Sequence, residues 1–181
     1  ERLHKSAEAI QLWREVLDED ANTPGALDAL EKLAEREKDF PTLADAIERR
    51  IAATTDVAER IKLLQKLGPI YGEQMGDDAK CATAWKRVLE LDPKNGRAMR
   101  TLRETYLASG DYEALEALYG AVGDWEGLVE VLGTAADKVQ DPALRVKLSF
   151  HATDIYAQKI GEPQRAFRAY ERVLAADPKN E

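Results

Sequence analysis

A segment that recurs at a fixed offset limits what this chain can fold into. Residues 84–95 read AWKRVLELDPKN, and residues 169–180 read AYERVLAADPKN. The offset between these two copies, 169 minus 84, also aligns Tyr71 with Tyr156. A shorter third copy, LWREVL at residues 12–17, lies before the first of these at a smaller offset, 84 minus 12. Such recurrence indicates a repeat architecture, in which neighbouring copies bury their apolar faces against one another.

The first offset is 169 − 84 = 85 residues and the second is 84 − 12 = 72, so they differ by 85 − 72 = 13 residues. The sequence shows where these additional residues lie. The second unit contains two similar openings, GDYE at 110–113 and GDWE at 123–126, and their separation equals that difference. The first unit has one counterpart, KDFP at 38–41. We therefore expect the second unit to contain one extra short helix, over residues 111–122.

The apolar residues follow helical periodicity throughout the chain. Val57, Ile61, Leu64, Gly68 and Tyr71 are separated by steps of three and four, which places them on one helix face. Strand-like alternation is absent. The pattern predicts an all-α chain with about ten helices, over residues 4–20, 24–38, 40–54, 57–75, 78–91, 96–109, 111–122, 124–139, 142–160 and 163–176. Helices of this length joined by two to four residues pack as antiparallel neighbours.

Polar residues mark several helix starts. Asp56 is followed three residues later by Glu59, which is the spacing of a capping box. Thr23 and Asp141 each stand before a proline, and proline is tolerated at the first helical position because its missing N–H has no partner there. These three positions are predicted N-caps.

Composition and isolated residues argue against several kinds of site. The net charge of -8 would repel nucleic acid, and no apolar stretch is long enough for a membrane span. The single cysteine, Cys81, excludes an internal disulfide, and the two histidines, His4 and His151, are far apart in sequence. We therefore predict no catalytic residues, no metal and no cofactor. The compartment is not fixed by these features, and a soluble, cytoplasmic protein is the expectation.

The residues from Gly96 to Tyr119 carry a family resemblance. Leu102, Tyr106, the Gly110–Tyr112 turn and Leu115 resemble the tetratricopeptide-repeat (TPR) pattern, in which a first helix ends in a Gly-Asp-aromatic turn and a second helix follows. The resemblance implies an α-solenoid of antiparallel hairpins that stack into a right-handed superhelix. Residues 1–181 would then form a single TPR-like array, cut from a longer one. It also implies that the chain binds proteins or peptides.

One departure from the pattern recurs in both copies. The spacing from Tyr71 to Gly76, and likewise from Tyr156 to Gly161, is one residue longer than the usual distance from the aromatic residue to the turn. The sequence alone does not say how a helix would absorb the extra residue.

In TPR proteins the first helix of each repeat lines the concave groove, so the resemblance implies a set of partner-binding positions. Those positions are Lys62, Gln65, Arg97, Arg100, Glu104, Lys147 and Phe150. The basic members favour an acidic or carboxylate-bearing protein segment as the ligand. Two alternatives remain open: a solvated helix face, with the arginines paired to acids such as Glu104, and an accessory domain whose parent protein acts elsewhere.

Aromatic residues at equivalent repeat positions, including Trp85 and Tyr170, are predicted to be buried in the core. Phe150 is an exception, because its counterpart one repeat earlier is the polar Gln65. The terminal helices carry apolar stripes, Ile10 to Leu17 at one end and Phe167 to Leu174 at the other. These stripes predict weak self-association through the chain ends.

Overall fold

The computed structural model describes residues 2–20, 23 and 25–176, and within those ranges every regular element is helical. The predicted all-α fold with about ten helices is confirmed. The helices are α1 (Arg2–Glu19), α2 (Ala26–Glu37), α3 (Phe40–Ala53), α4 (Val57–Pro69), α5 (Asp78–Leu91), α6 (Gly96–Ser109), α7 (Tyr112–Val122), α8 (Trp125–Lys138), α9 (Pro142–Ile155) and α10 (Pro163–Ala176). The extra short helix of the second unit is α7.

The chain forms two compact units, Glu1–Leu102 and Arg103–Glu181, and their boundary falls inside α6. In the first unit α1 packs on α2, α2 on α3, and α4 on α5. In the second unit α8 packs on α9, and α9 on α10. Sequential helices joined by short loops therefore pack as hairpins, which is the unit of a helical-repeat fold.

Acidic side chains cap most of the helices whose starts are described. The carboxylates of Asp39, Asp77, Asp111 and Asp124 each accept a hydrogen bond from the backbone N–H three residues on, at 2.9–3.2 Å. Asp141 caps α9 with Pro142 at the first helical position, as predicted. Each such cap stabilises its helix by roughly 0.5–2 kcal/mol.

Of the other two predicted N-caps, Asp56 is confirmed and Thr23 is not. Asp56 accepts from the backbone N–H of Ala58 and Glu59, but its own N–H donates to Thr54 Oγ1 at 3.3 Å, so that N–H is bonded to a residue outside the capping box. The cap predicted at Thr23 is wrong, because α2 begins at Ala26 with Gly25 as its N-cap in a left-handed conformation. Pro24 lies outside the described residues.

The extra residue before two of the turns is accommodated by a π-helical turn. Just after α6 the backbone N–H of Asp111 bonds to the carbonyl of Tyr106, five residues back, at 3.0 Å. After α4 the equivalent N–H of Asp77 reaches the carbonyl of Tyr71, six residues back, at 2.8 Å. Residues Ile70–Gln74 form the π turn that takes up the additional residue, and Tyr156–Ile160 do the same after α9. The backbone hydrogen bond from the aspartate N–H to the carbonyl of the aromatic residue is thus kept despite the extra residue.

Lys38 occupies the turn position that glycine holds elsewhere. Its φ is 58°, while Gly110 and Gly123 at the equivalent places have φ of 72° and 73°. For a residue with a Cβ, this left-handed region costs roughly 1–2 kcal/mol. The Lys38→Gly variant is therefore expected to raise the free energy of unfolding by about 0.5–1 kcal/mol, after the greater chain entropy of glycine is subtracted.

Urea melts followed by circular dichroism would check this expectation. The matched control is Lys32→Gly, an exposed position in the middle of α2, which should lose about 1 kcal/mol. Equal destabilisation by both variants would show that the conformation of Lys38 carries no strain.

The stripe predicted for self-association at the first end is not exposed. Ile10 and Leu17 are buried, and Trp13 and Val16 pack against the same cluster with Ala26 and Leu30 of α2. The expectation of a free apolar stripe on α1 is therefore wrong, since α2 covers it. At the other end Phe167 is exposed, while the side chains of Val173 and Leu174 lie outside the described residues.

Candidate functional site

Four of the seven predicted partner-binding residues lie in the first unit. Lys62 and Gln65 are on α4, and Arg97 and Arg100 are on the first half of α6. The side chains of Lys62, Arg97 and Arg100 are exposed, and Gln65 is half-buried. Three long basic side chains on these two helices are therefore accessible to a ligand.

The Trp85 side chain contacts residues of both α4 and α6 in the first unit. The indole is 2% exposed and lies so close to Gly68 of α4 that a Cβ there would be 2.5 Å from Trp85 Nε1. Above the ring, the Arg97 guanidinium carbon is 5.2 Å from the centroid. This cation–π contact is worth roughly 0.5–1 kcal/mol at an exposed position, and it also fixes where the Arg97 head stands.

The remaining three predicted residues lie in the second unit. Glu104 on α6 and Lys147 on α9 are exposed. Phe150, one turn after Lys147, is half-buried, and its ring centroid is 5.6 Å from that of Tyr170 on α10. Phe150 is therefore at least partly a packing residue.

Tyr170 is less buried than its repeat counterpart Trp85. Tyr170 is half-buried, and its hydroxyl donates to Asp154, a contact that raises the pKa of the phenol. In the first unit Arg97 of α6 lies over the Trp85 ring, whereas Phe150 of α9 is the aromatic neighbour of Tyr170. The prediction of burial is thus confirmed for Trp85 and wrong for Tyr170, which is half-buried beside Phe150.

An open cleft of about 830 Å³ lies in the second unit, between the last part of α6 and one face of α8. Leu107 and Val131 contribute to its walls, and Tyr112 and Tyr119 of α7 also line it. Charged side chains from both helices, among them Glu104, complete the lining. The sequence predicted the extra helix but not the cleft, because a cleft depends on how far apart two helix faces stand.

A cluster of charges joins three helices of the first unit. The Glu31 side chain on α2 is 9% exposed and accepts from Arg50 Nη1 of α3 at 2.8 Å, while Lys66 Nζ of α4 stands 3.8 Å from its other oxygen. Arg50 also pairs with Asp28, and Lys66 lies 3.6 Å from Glu35. A carboxylate buried to this extent would be costly without its cations, so these contacts hold the three helices in register.

Residues that could support chemistry do not converge in the described part of the chain. Cys81 is buried, and burial raises the pKa of its thiol, which keeps it protonated and unreactive. His151 Nε2 lies 3.0 Å from Glu116 Oε2, while the side chain of His4 is outside the described residues. No group of three or more metal-ligating side chains is found among the described residues. In the same residues no helix is long and apolar enough to cross a membrane.

The features that recur along the chain define the fold. Short antiparallel hairpins end in turns where an aspartate N–H bonds to the carbonyl of an aromatic residue, at Tyr71, Tyr106 and Tyr119. The described part of the chain is an all-α helical repeat, and its turns resemble the TPR pattern. It departs from that pattern in the two π turns and the extra helix α7.

Comparison with known proteins gives the following similarities. No family model matches the sequence, and no curated protein matches it significantly. Among solved structures, the chain is similar to a tetratricopeptide repeat protein from Parabacteroides merdae ATCC 43184, at 14% identity and a TM-score of 0.44, covering 96% of this chain and 74% of that one. It is also similar to MamA protein, at 15% identity and a TM-score of 0.38, over 98% of this chain and 86% of that one. A thermophilic TPR protein from Thermus thermophilus matches at 15% identity and a TM-score of 0.32, over 99% and 87% of the two chains.

Proposed function

We propose that this chain is a non-catalytic scaffold, a single repeat array that holds an acidic segment of a partner protein. The observation that carries the proposal is the set of exposed basic side chains on two helices that meet at Trp85, Lys62 of α4 and Arg97 and Arg100 of α6. In a chain of net charge -8, a basic surface of this kind is a departure from the average and would attract an acidic ligand.

The arrangement suits carboxylate recognition for a physical reason. A guanidinium presents several N–H donors in a plane, so it can grip a carboxylate with two parallel bonds. Arg97 is partly immobilised by the Trp85 ring, which reduces the side-chain entropy that binding would otherwise cost. The repeat offset puts Lys147 and Phe150 of α9 at the positions equivalent to Lys62 and Gln65, so the same face of the second unit offers a cation beside an aromatic ring.

A second proposal is that the chain is a regulatory or accessory domain of a larger protein whose activity lies outside this segment. The exposed basic side chains of α4 and α6 could contact either a separate protein or another part of the same protein, so they are compatible with both proposals. Binding of a separate acidic segment by the isolated chain favours the scaffold, and binding restricted to other parts of its own protein favours the accessory domain.

The scaffold proposal predicts that Arg97→Glu with Arg100→Glu weakens binding of an acidic peptide by about tenfold or more. Two exposed ion pairs of roughly 0.2–1 kcal/mol each are lost, and repulsion between like charges is added. Fluorescence anisotropy would measure this with an array of labelled peptides rich in Asp and Glu, each matched by an Asn and Gln counterpart.

The matched control is Lys32→Glu with Lys86→Glu, which changes the net charge equally at exposed positions on α2 and α5. Affinity should also fall as salt is raised, because exposed charges are screened. Equal losses in the two double variants would show that only net charge matters, and the basic surface would then have no specific role.

A further inference from the structure

An open pocket of about 530 Å³ lies in the first unit, where the end of α3 and the loop after it meet α4 and α5. This α3–α5 pocket has a volume within the range of sites that hold small molecules. Among the described residues the one acid in its lining is Glu48, and the buried Ile51 adds apolar surface. Four lining side chains carry N–H or O–H donors: Arg60 of α4, Arg87 of α5, and Thr54 and Thr55 of the loop.

The Arg60 guanidinium is a cation that the fold leaves without an acceptor. Its Nε is buried and has no hydrogen-bond partner among the described residues, and no carboxylate of those residues pairs with it. A buried N–H that has lost water without gaining an acceptor is unfavourable, and an acceptor supplied by a ligand would remove that cost. The half-buried Arg60 side chain is therefore a ready anion-binding group.

Arg87 is engaged through one of its nitrogens. Its Nη1 donates to both carboxylate oxygens of Glu48, at 2.7 and 2.9 Å. Nε and Nη2, which together form one fork of the guanidinium, make no hydrogen bond to the described residues. Because Arg87 balances Glu48, Arg60 leaves the lining of the pocket with a net charge of 2 − 1 = +1.

The donors of the pocket come from three separate segments, and this favours a tetrahedral anion. Thr54 Oγ1 accepts from the backbone N–H of Asp56 at 3.3 Å, which leaves its own O–H to donate. The two oxygens of a carboxylate lie in one plane, whereas a phosphate group presents three acceptor oxygens in different directions. Guanidinium forks from α4 and α5 together with hydroxyls from the loop match the second arrangement better.

We propose that the α3–α5 pocket binds the phosphate group of a small molecule, either free phosphate or a phosphate monoester. Arg60 is its principal contact, the free fork of Arg87 is the second, and the hydroxyls of Thr54 and Thr55 complete the set. The apolar surface of Ile51 suits the organic part of a monoester. This inference goes beyond the binding of an acidic segment and does not depend on it, because neither arginine belongs to that surface.

Isothermal titration calorimetry of the whole chain in a phosphate-free buffer is the test. The probes are inorganic phosphate and phenyl phosphate, and benzoate is the matched carboxylate. At least one phosphate probe should bind, and benzoate should bind at least about tenfold more weakly than that probe. Tighter binding of phenyl phosphate than of inorganic phosphate identifies an organic monoester as the ligand class, and any other order identifies free phosphate.

Three variants locate the site. Arg60→Gln should weaken phosphate binding by at least about tenfold, because it removes a charged donor set. Lys62→Gln makes the same charge change at an exposed position of α4, within the surface proposed for acidic segments, and should bind phosphate like the wild type. Glu48→Gln should strengthen binding by about threefold or more, because it removes the acid from the pocket and releases Arg87.

The gain expected for Glu48→Gln keeps the proposal testable even if Arg60→Gln does not fold, which circular dichroism would show. Four results would each overturn the proposal. They are the absence of binding by both phosphate probes, equal affinity for benzoate, equal losses in folded Arg60→Gln and Lys62→Gln, and a folded Glu48→Gln variant that binds phosphate no more tightly than the wild type.

Discussion

Trp85→Ala is expected to lower the free energy of unfolding by about 3–5 kcal/mol, the usual cost of emptying an aromatic core site. The indole is 2% exposed, lies against Gly68 and supports the Arg97 guanidinium, so its removal leaves a cavity and releases a contact of α6 together. Urea denaturation followed by circular dichroism gives the value. A loss below about 1 kcal/mol would contradict the burial of this ring.

A companion variant tests the close approach itself. At Gly68 an added Cβ would lie 2.5 Å from Trp85 Nε1 and 2.8 Å from Cε2. These distances are too short for a real contact, so the indole or the α4 backbone would have to move. Gly68→Ala should therefore destabilise the chain by about 1–3 kcal/mol, as overpacking does. Combining it with Trp85→Phe should recover part of that loss, because the smaller ring leaves room for the methyl group.

The control for this companion variant is Gly133→Ala. Gly133 lies inside α8 with no heavy atom within 4 Å of an added Cβ, so its replacement should stabilise the helix by about 0.5–1 kcal/mol. If Gly68→Ala proved as favourable as Gly133→Ala, α4 and α5 would have to stand further apart than described.

Arg50→Met should cost about 1–3 kcal/mol. The substitution leaves Glu31, with 9% of its side chain exposed, and among the described residues its remaining cation is Lys66 at 3.8 Å. The expected loss is below that of a fully buried pair because 31% of the Arg50 side chain remains exposed to water. Thermal and urea melts at low and high salt would measure it.

A double variant separates loss of the arginine from loss of the ion pair. Replacing both partners, Glu31→Leu with Arg50→Met, should return stability to within about 1 kcal/mol of the wild type, since no uncompensated charge stays buried. If the double variant were as unstable as Arg50→Met alone, the stabilisation would come from packing of the arginine stem and not from its charge.

Apart from the start of α2, the turns and helix starts were predictable from sequence because they depend on local chemistry. Each Gly-Asp-aromatic motif sets a left-handed residue, a cap and an aromatic ring in consecutive positions, so helix bounds agree closely with expectation. The longer spacing from Tyr71 to Gly76 was visible in the sequence, but its resolution as a π turn required knowing that Asp77 still bonds to the carbonyl of Tyr71. Sequence shows an insertion, and the preserved backbone bond determines how the helix absorbs it.

Features that depend on the spacing between helices were not predictable. The partners of Glu31 come from α3 and α4, at sequence distances where no periodicity links them. Tyr170 was expected to be as buried as Trp85, but burial depends on what covers the ring, and the repeat position alone does not supply a cover. The proposed binding positions follow from the family resemblance, and their role in binding stays a prediction.

The basic side chains of α4 and α6 form the proposed binding surface for an acidic partner segment. Nuclear magnetic resonance of the isotope-labelled chain, titrated with the tightest acidic peptide of the array, tests this proposal most directly. We expect the largest shifts on the side-chain Nε–H groups of Arg97 and Arg100 and on the backbone amides around Lys62 and Gln65. Shifts confined to α1, α2 or α10, or no shifts with any acidic peptide, would contradict it.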